Sequence, residues 1–249
     1  MSRRPPALVA VLVAALVAAV LLSAPLVSGC GAAGQANPTE IGPQGVDELV
    51  IPTPSPDPDD FVDEVDNPWL PLAPGTVWTY DVAGSAVQRL EVRVEEAHET
   101  VAGVSCVVVR RTGTDRDGEV VEEVVTYLAQ DDEGNVWLFG EDGDRTWRAG
   151  EDGAEAGLAM PAAPRVGDGY LHQQAPNAAD RSTVLSLDEE RTVPAGTFGS
   201  LLLTEDTSTL DVPDPVVVRR AYAQGTGLVE ETTTVGGTER AVLASVTTP

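Results

Sequence analysis

Catalysis or metal binding in this chain would have to draw on two histidines, two cysteines and forty carboxylates. His98 lies in Glu95-Glu96-Ala97-His98-Glu99, near the end of an expected strand, and His172 follows Tyr170 ahead of a polar loop. Zinc takes three or four His, Cys or acid ligands in spaced sets, and two solitary histidines do not supply one. No G-x-S-x-G elbow supports a serine nucleophile. Gly225-Thr226-Gly227 lies between two strand-like runs instead of opening a helix, so it reads as a hairpin turn and not a phosphate loop. With so many acids, any one carboxylate pair is uninformative, and Glu141-Asp142-Gly143-Asp144 reads as a solvated loop. The acidic run 57–66 could hold calcium, but it lacks the glycine and ligand spacing of an EF-hand. These residues predict no catalytic group, no metal and no cofactor. Four tryptophans remain. Trp78 and Trp137 fall in strand-like runs and are expected in the core. Trp69 could plug one end of a sheet. Trp147, in a stretch rich in glycine and acid, is the leading candidate to line a ligand groove, together with Trp69 and Tyr170.

The two cysteines have different settings. Arg3 and Arg4 are followed by the wholly apolar run 7–22 and then by small residues up to Cys30. This is the order of a secretory signal, and the apolar run falls short of the roughly 20 residues of a membrane span. Leu26-Val27-Ser28-Gly29-Cys30 resembles the bacterial lipobox. That resemblance implies cleavage before Cys30 and acylation of its thiol, palmitate being one such chain, since stable anchoring takes more than one acyl chain. Ser2-Arg3-Arg4 hints at twin-arginine export, but Pro5 and Pro6 sit where that motif prefers apolar bulk. Cys106 would then be left unpaired, in the apolar run 103–109, where a free cysteine packs as a small hydrophobe.

Charge narrows the partners. After loss of a signal at residues 1–29, 13 arginines face 40 acids, a net charge of −27, and the chain contains no lysine. Such a surface repels nucleic acid and anionic headgroups, so nucleic-acid binding is excluded and lipid would have to do the anchoring. The alanine, valine and arginine bias suits a GC-rich bacterial genome.

Residues 30–66 are dominated by Gly, Pro, Ser and acid without periodicity, and read as a disordered tether. From Asn67 to the end, runs of Val, Thr, Leu and aromatic residues alternate with Gly, Pro and Asp turns, the signature of strands. Residues 90–95 alternate strictly apolar and charged. The expected strands are 76–82, 90–95, 104–109, 120–129, 135–139, 183–187, 200–204, 216–222, 228–234 and 240–246, with residues 146–180 as coil. A repeat is also visible. Gly103 and Gly196, Gly134 and Gly227, and Val136 and Val229 share an offset of 93 residues, while Gly75 with Trp78 precedes Gly167 with Tyr170 by 92. Two tandem homologous halves, about 67–160 and 161–249, are predicted.

The stretches NPWLPLAPGTVWTY (67–80), YLAQDDEGNVWLFGE (127–141), TVPAGTFGSLL (192–202) and AYAQGTGLVEE (221–231) resemble a family of uncharacterised bacterial exported lipoproteins. More loosely, the second half is similar to periplasmic proteins and lipoprotein carriers built on a curled antiparallel sheet. The resemblance implies no transferable chemistry.

The expected protein is therefore all-β, with one strongly curved antiparallel sheet, a half-barrel or β-roll, in a single domain over 67–249. It is expected on the extracytoplasmic side of the cell membrane, lipid-anchored through Cys30. A curled sheet must cover its apolar concave face with its own chain or a ligand. The leading function is thus a non-enzymatic binding module for an apolar ligand such as a lipid, or for an envelope protein. The alternatives are an accessory subunit of an envelope complex and a hydrolase with scattered catalytic residues. A Cys30→Ala chain, expressed in its host and fractionated, is expected to leave the membrane fraction while keeping its fold; retention on the membrane would overturn the anchor.

Overall fold

β-branched and aromatic residues in period-two runs favour pleated strands, and the fold is built from little else. The computed structural model describes residues 57–143, 146–175, 178–208 and 215–249. The signal, Cys30 and most of the expected tether lie outside the described residues. A single 3-10 turn, Pro58–Asp60, precedes β1 (Phe61–Val62) and β2 (Val77–Ala83). There follow β3 (Arg89–Val101), β4 (Val104–Thr114), β5 (Val120–Asp131), β6 (Val136–Asp142), β7 (Thr146–Arg148) and β8 (Gly157–Met160). The chain ends with β9 (Gly169–Ala175), β10 (Ala178–Val193), β11 (Gly196–Ser208), β12 (Val216–Ala223), β13 (Gly227–Val235) and β14 (Arg240–Thr247).

All fourteen strands described join one antiparallel sheet. Its order is β7-β6-β5-β4-β3-β2-β14-β13-β12-β11-β10-β9, with β1 on β5 and β8 on β6. The fold is thus the expected all-β curled sheet. The ladder remains open between β6 and β9, and β8 occupies that gap. It is bonded to β6, and Gly157 lies so close to β9 that a Cβ there would sit 2.2 Å from the His172 carbonyl oxygen. Residues 146–180, expected as coil, therefore carry β7, β8 and β9. Short segments rich in glycine and alanine, such as Gly157-Leu158-Ala159-Met160, have too few residues to show a period of two.

How far the sheet curls can be read from one contact. Arg111 on β4 and Glu231 on β13 are four ladder steps apart, or about 19 Å along a flat sheet at roughly 4.8 Å per strand. Their side chains nevertheless meet at 3.4 Å, so the sheet rolls around its concave face. Both six-strand runs begin alike. The Gly75 N–H donates to the Val94 carbonyl and the Val94 N–H to the Thr76 carbonyl. Gly167, Val184 and Asp168 repeat that bracket. Gly75 and Gly167 have φ of 82° and 94°, and each bracketed valine is 1% exposed.

Buried apolar residues run from Val65 to Leu243 and form one cluster, so the unit from Ile51 to Pro249 carries its own core. Cys106 is in it, fully buried and unpaired, and burial pushes its thiol up to about 12, far from a reactive thiolate.

The end of the roll next to β5 is stoppered by the segment leading into β2. Asn67, 1% exposed, donates from Nδ2 to the carbonyls of Gly134 and Pro161, while its Oδ1 accepts from the N–H groups of Trp69 and Leu70. The Gln130 side chain accepts from the N–H groups of Asp66 and Asn67 at 3.0 and 2.8 Å. With Phe61–Val62 paired to β5 and Val65 buried, residues 57–66, assigned from sequence to the tether, form part of the folded unit. The Gln130 side chain and the Asp131 backbone of β5 hold what composition alone marks as loose. Asn67→Ala is expected to lower unfolding stability by about 2–3 kcal/mol, because it strips partners from several buried amides and carbonyls at once; urea denaturation of the 57–249 fragment measures it.

Candidate functional site: the concave face

Alternation decides what the concave face presents. On β12, Val216, Val218, Arg220 and Tyr222 point inward, and Arg219 points outward to Glu205, 2.9 Å away. On β4, Val109 and Arg111 point inward, while Arg110 pairs outward with Glu95 and Glu123, both at 2.8 Å. Each Arg-Arg pair therefore gives one arginine to the surface and one to the interior.

The interior arginines anchor a chain of charges across the roll. Glu122 on β5 accepts from Arg111 Nε at 2.9 Å. Arg111 reaches Glu231 Oε1 from both terminal nitrogens at 3.4 Å. Arg220 Nε donates to Glu231 Oε2 at 2.6 Å. Arg220 also pairs with Asp206 on β11, which accepts from the Ser182 hydroxyl on β10. Burial alone would push the Glu231 carboxyl up, but the charges of Arg220 and Arg111 outweigh it and hold the group down at about 2. Burial likewise opposes the charge on Arg220, and Glu231 and Asp206 more than restore it. His172, on β9, is half-buried. Desolvation lowers its pKa against the opposing pull of Asp206, so the ring is neutral at neutral pH.

Beside this chain lies a half-open cavity of about 350 Å³. Its aliphatic wall includes Val92, Val109, Val124, Leu128, Val216 and Val218, and Leu70 and Leu72 of the stopper segment close one side. Trp78 and Tyr80 line it as well, and both are fixed: Trp78 Nε1 donates to the Thr226 carbonyl at 2.6 Å and the Tyr80 hydroxyl to the Leu228 carbonyl at 3.0 Å. His172, Gln173, Asp180, Asp206, Arg220 and Glu231 converge on the polar side. The volume lies at the small end of the roughly 300–1,000 Å³ typical of ligand sites, with an aliphatic wall on one side and charged groups on the other.

The groove residues expected from sequence are not brought together here. Trp147 is buried on β7, with its indole N–H unpartnered. Trp69 is buried in the stopper segment, on the rim of a separate recess with Phe198, Leu187 and Pro164. Tyr170 is buried on β9, opposite Ser182 of β10 and beside the ion chain. Leu70 and His172, neighbours of Trp69 and Tyr170, do reach the cavity. Arg111, Arg220, Asp206 and Glu231 went unnoticed in the sequence. The signal was a double arginine inside an apolar strand, since a period of two must turn one of the two inward.

The polar side is not arranged for proton transfer. The Ser182 hydroxyl donates to Asp206, whose charge is already matched by Arg220, and burial lowers the pKa of the His172 ring. His98 lies on the exposed β3–β4 hairpin, with Nδ1 3.2 Å from the Ser105 hydroxyl. Among the described residues, no group of three or more His, Cys, Asp or Glu side chains could hold a metal ion, although six acids (63, 64, 66 and 131–133) ring an open recess.

Because Glu231 is held below its ordinary range in the fold, its contribution to stability is present above pH 4.5 and is lost as pH falls from there towards 2. Glu231→Gln removes the carboxylate that Arg111 and Arg220 share, leaving Arg111 with Glu122 and Arg220 with Asp206, and is expected to cost about 2–3 kcal/mol at pH 7. That deficit should shrink on acidification through this window; chemical denaturation of both proteins at pH 7 and pH 3 checks it.

No protein-family model matches the chain, and no curated protein matches it. Two solved structures are similar at 14% identity, each over 72% of this chain. One, from Bacteroides fragilis, is provisionally named an exported protein with a YmcC-like fold (TM-score 0.46, 99% of that chain). The other, from Parabacteroides distasonis, is provisionally named a lipoprotein (TM-score 0.42, 98% of that chain).

Proposed function

We propose that this chain is an extracytoplasmic lipoprotein, held at the membrane through Cys30, whose curled sheet binds an apolar ligand in the concave cavity. The observation that carries the reading is the cavity itself. Its aliphatic wall remains open to solvent although the fold has stoppered one end with Leu70 and Leu72 and has filled the gap beside β6 with β8. Exposed aliphatic surface of this kind is stabilised by an apolar occupant at roughly 25 cal/mol per Å² removed from water. The leader and the lipobox-like Leu26–Cys30 segment support the location. The hydrolase reading is disfavoured because the Ser182 hydroxyl is already committed to a carboxylate that Arg220 charge-pairs. The matching glycine brackets at Gly75 and Gly167 and the parallel strand orders support two halves arising by duplication.

The neutral apolar dye N-phenylnaphthylamine, titrated into the 57–249 fragment, is expected to brighten and saturate at one dye per chain. Val218→Trp, which fills the cavity from β12, is expected to weaken binding by about tenfold or more while the far-UV spectrum and thermal transition persist. No saturable signal from the unaltered fragment, or unchanged affinity in a folded Val218→Trp variant, would sink the reading.

A further inference from the structure

The polar side of the cavity carries more acid than base. Two arginines, Arg111 and Arg220, face the three carboxylates Asp180, Asp206 and Glu231, an excess of one negative charge. His172 adds no positive charge at neutral pH. The positive charges are also already engaged: Arg111 by Glu122 and Glu231, and Arg220 by Glu231 and Asp206. Neither guanidinium can be given to an incoming anion without stripping a buried carboxylate of its partner, which costs several kcal/mol.

Asp180 differs from the carboxylates of the ion chain. It stands on β10 opposite Gln173 of β9 and lines the cavity. Its Oδ1 is buried with no hydrogen-bond partner. A carboxylate with one oxygen buried and undonated is left under-compensated, and a positive charge brought beside it by a ligand would offset that cost. An ionised carboxylate only accepts hydrogen bonds, so the ligand atom placed there must carry hydrogen, and a positive charge on it strengthens the bond. A carboxylate or phosphate headgroup would instead meet Asp180 as a like charge.

We propose, building on the apolar-ligand reading above, that the cavity selects amphiphiles with a protonated amine head, the ammonium group pairing with the Asp180 carboxylate and the hydrocarbon tail lying against Val92, Val109, Val124 and Val218. The Asp180 carboxylate is the specificity-determining group, and Asp206 and Glu231 stay bound to their arginines when the ligand enters.

The test displaces N-phenylnaphthylamine from the 57–249 fragment with decylamine, decanol and decanoate at pH 7. Decylamine is expected to bind about tenfold or more tightly than decanol, as a charge-assisted hydrogen bond would give, with decanoate weakest. Asp180→Asn is expected to bring decylamine to within about threefold of decanol without changing decanol affinity. The fragment as a whole is strongly acidic and attracts any cation, but that attraction is screened by salt and would survive in Asp180→Asn. A preference for decylamine that persists in the variant, or that vanishes in 0.5 M salt in the unaltered fragment, overturns the proposal. So does decanol or decanoate binding as tightly as decylamine, and in that case the apolar cavity still stands. If none of the three displaces the dye, or the dye itself does not bind, the apolar-ligand reading fails and takes this inference with it.

Discussion

The run of alternating charges Glu122–Arg111–Glu231–Arg220–Asp206 is the constraint on which the concave face depends. It joins β5 and β4 to β13, β12 and β11, strands that the ladder alone would leave far apart. An antiparallel sheet twists and coils readily, and aliphatic side chains such as Val92 and Val218 fit many degrees of curl. A guanidinium that must meet a carboxylate at hydrogen-bond distance fits few. Taking these groups from water costs several kcal/mol per ion, and replacing them by hydrophobic residues would often be neutral or favourable for stability. Their contribution is accordingly one of geometry, fixing how far β4 and β13 approach and so how wide the cavity can be.

A second constraint works at the stoppered end. Asn67 and Gln130 tie the backbone of residues 66–70 to β5, the β5–β6 turn and the Pro161 carbonyl. That clamp sets Trp69 into the core and turns Leu70 and Leu72 towards the cavity. The roll is thus closed by hydrogen bonds at one end, crossed by charge along one side, and lined with valine and leucine between the two. Where those three meet, an aliphatic wall lies within reach of fixed polar groups.

The sequence shows the strands well where two residues per period have room to repeat. The 90–95 run gives β3 its faces, and Gly103, Gly134 and Gly227 mark hairpin turns. It fails where a strand is too short for a period, as in β7 and β8, and where composition imitates a linker, as in 57–66. The site was hidden for a different reason. Period two says that one of Arg110 and Arg111, and one of Arg219 and Arg220, points inward, but not which. It gives no sign that the two inward arginines share Glu231, 120 residues from Arg111. That meeting is created by the curl, which depends on contacts between distant strands and is absent from any local window. Two tryptophans misled for a related reason: the size of Trp69 and Trp147 drew attention to ligand contact, whereas both are buried in the core with Trp137, and Trp78, expected in the core, also lines the cavity.

The charge of the whole molecule and the charge of its interior follow different logics. Outside, an excess of carboxylates faces water, where Arg110, Arg191 and Arg219 each pair with an acid and surface pairs of this kind contribute little to stability. Inside, every charge has a high desolvation cost, and the fold answers by alternating signs so that each ion of the chain has a neighbour of the opposite kind. That pattern accounts for Arg111, Arg220, Asp206 and Glu231. It does not extend to the Asp180 Oδ1 atom, buried on β10 without a donor although the neighbouring positions bond one another closely. Asp180 thus lines the open cavity outside the alternation of signs that holds Arg111, Arg220, Asp206 and Glu231 in place.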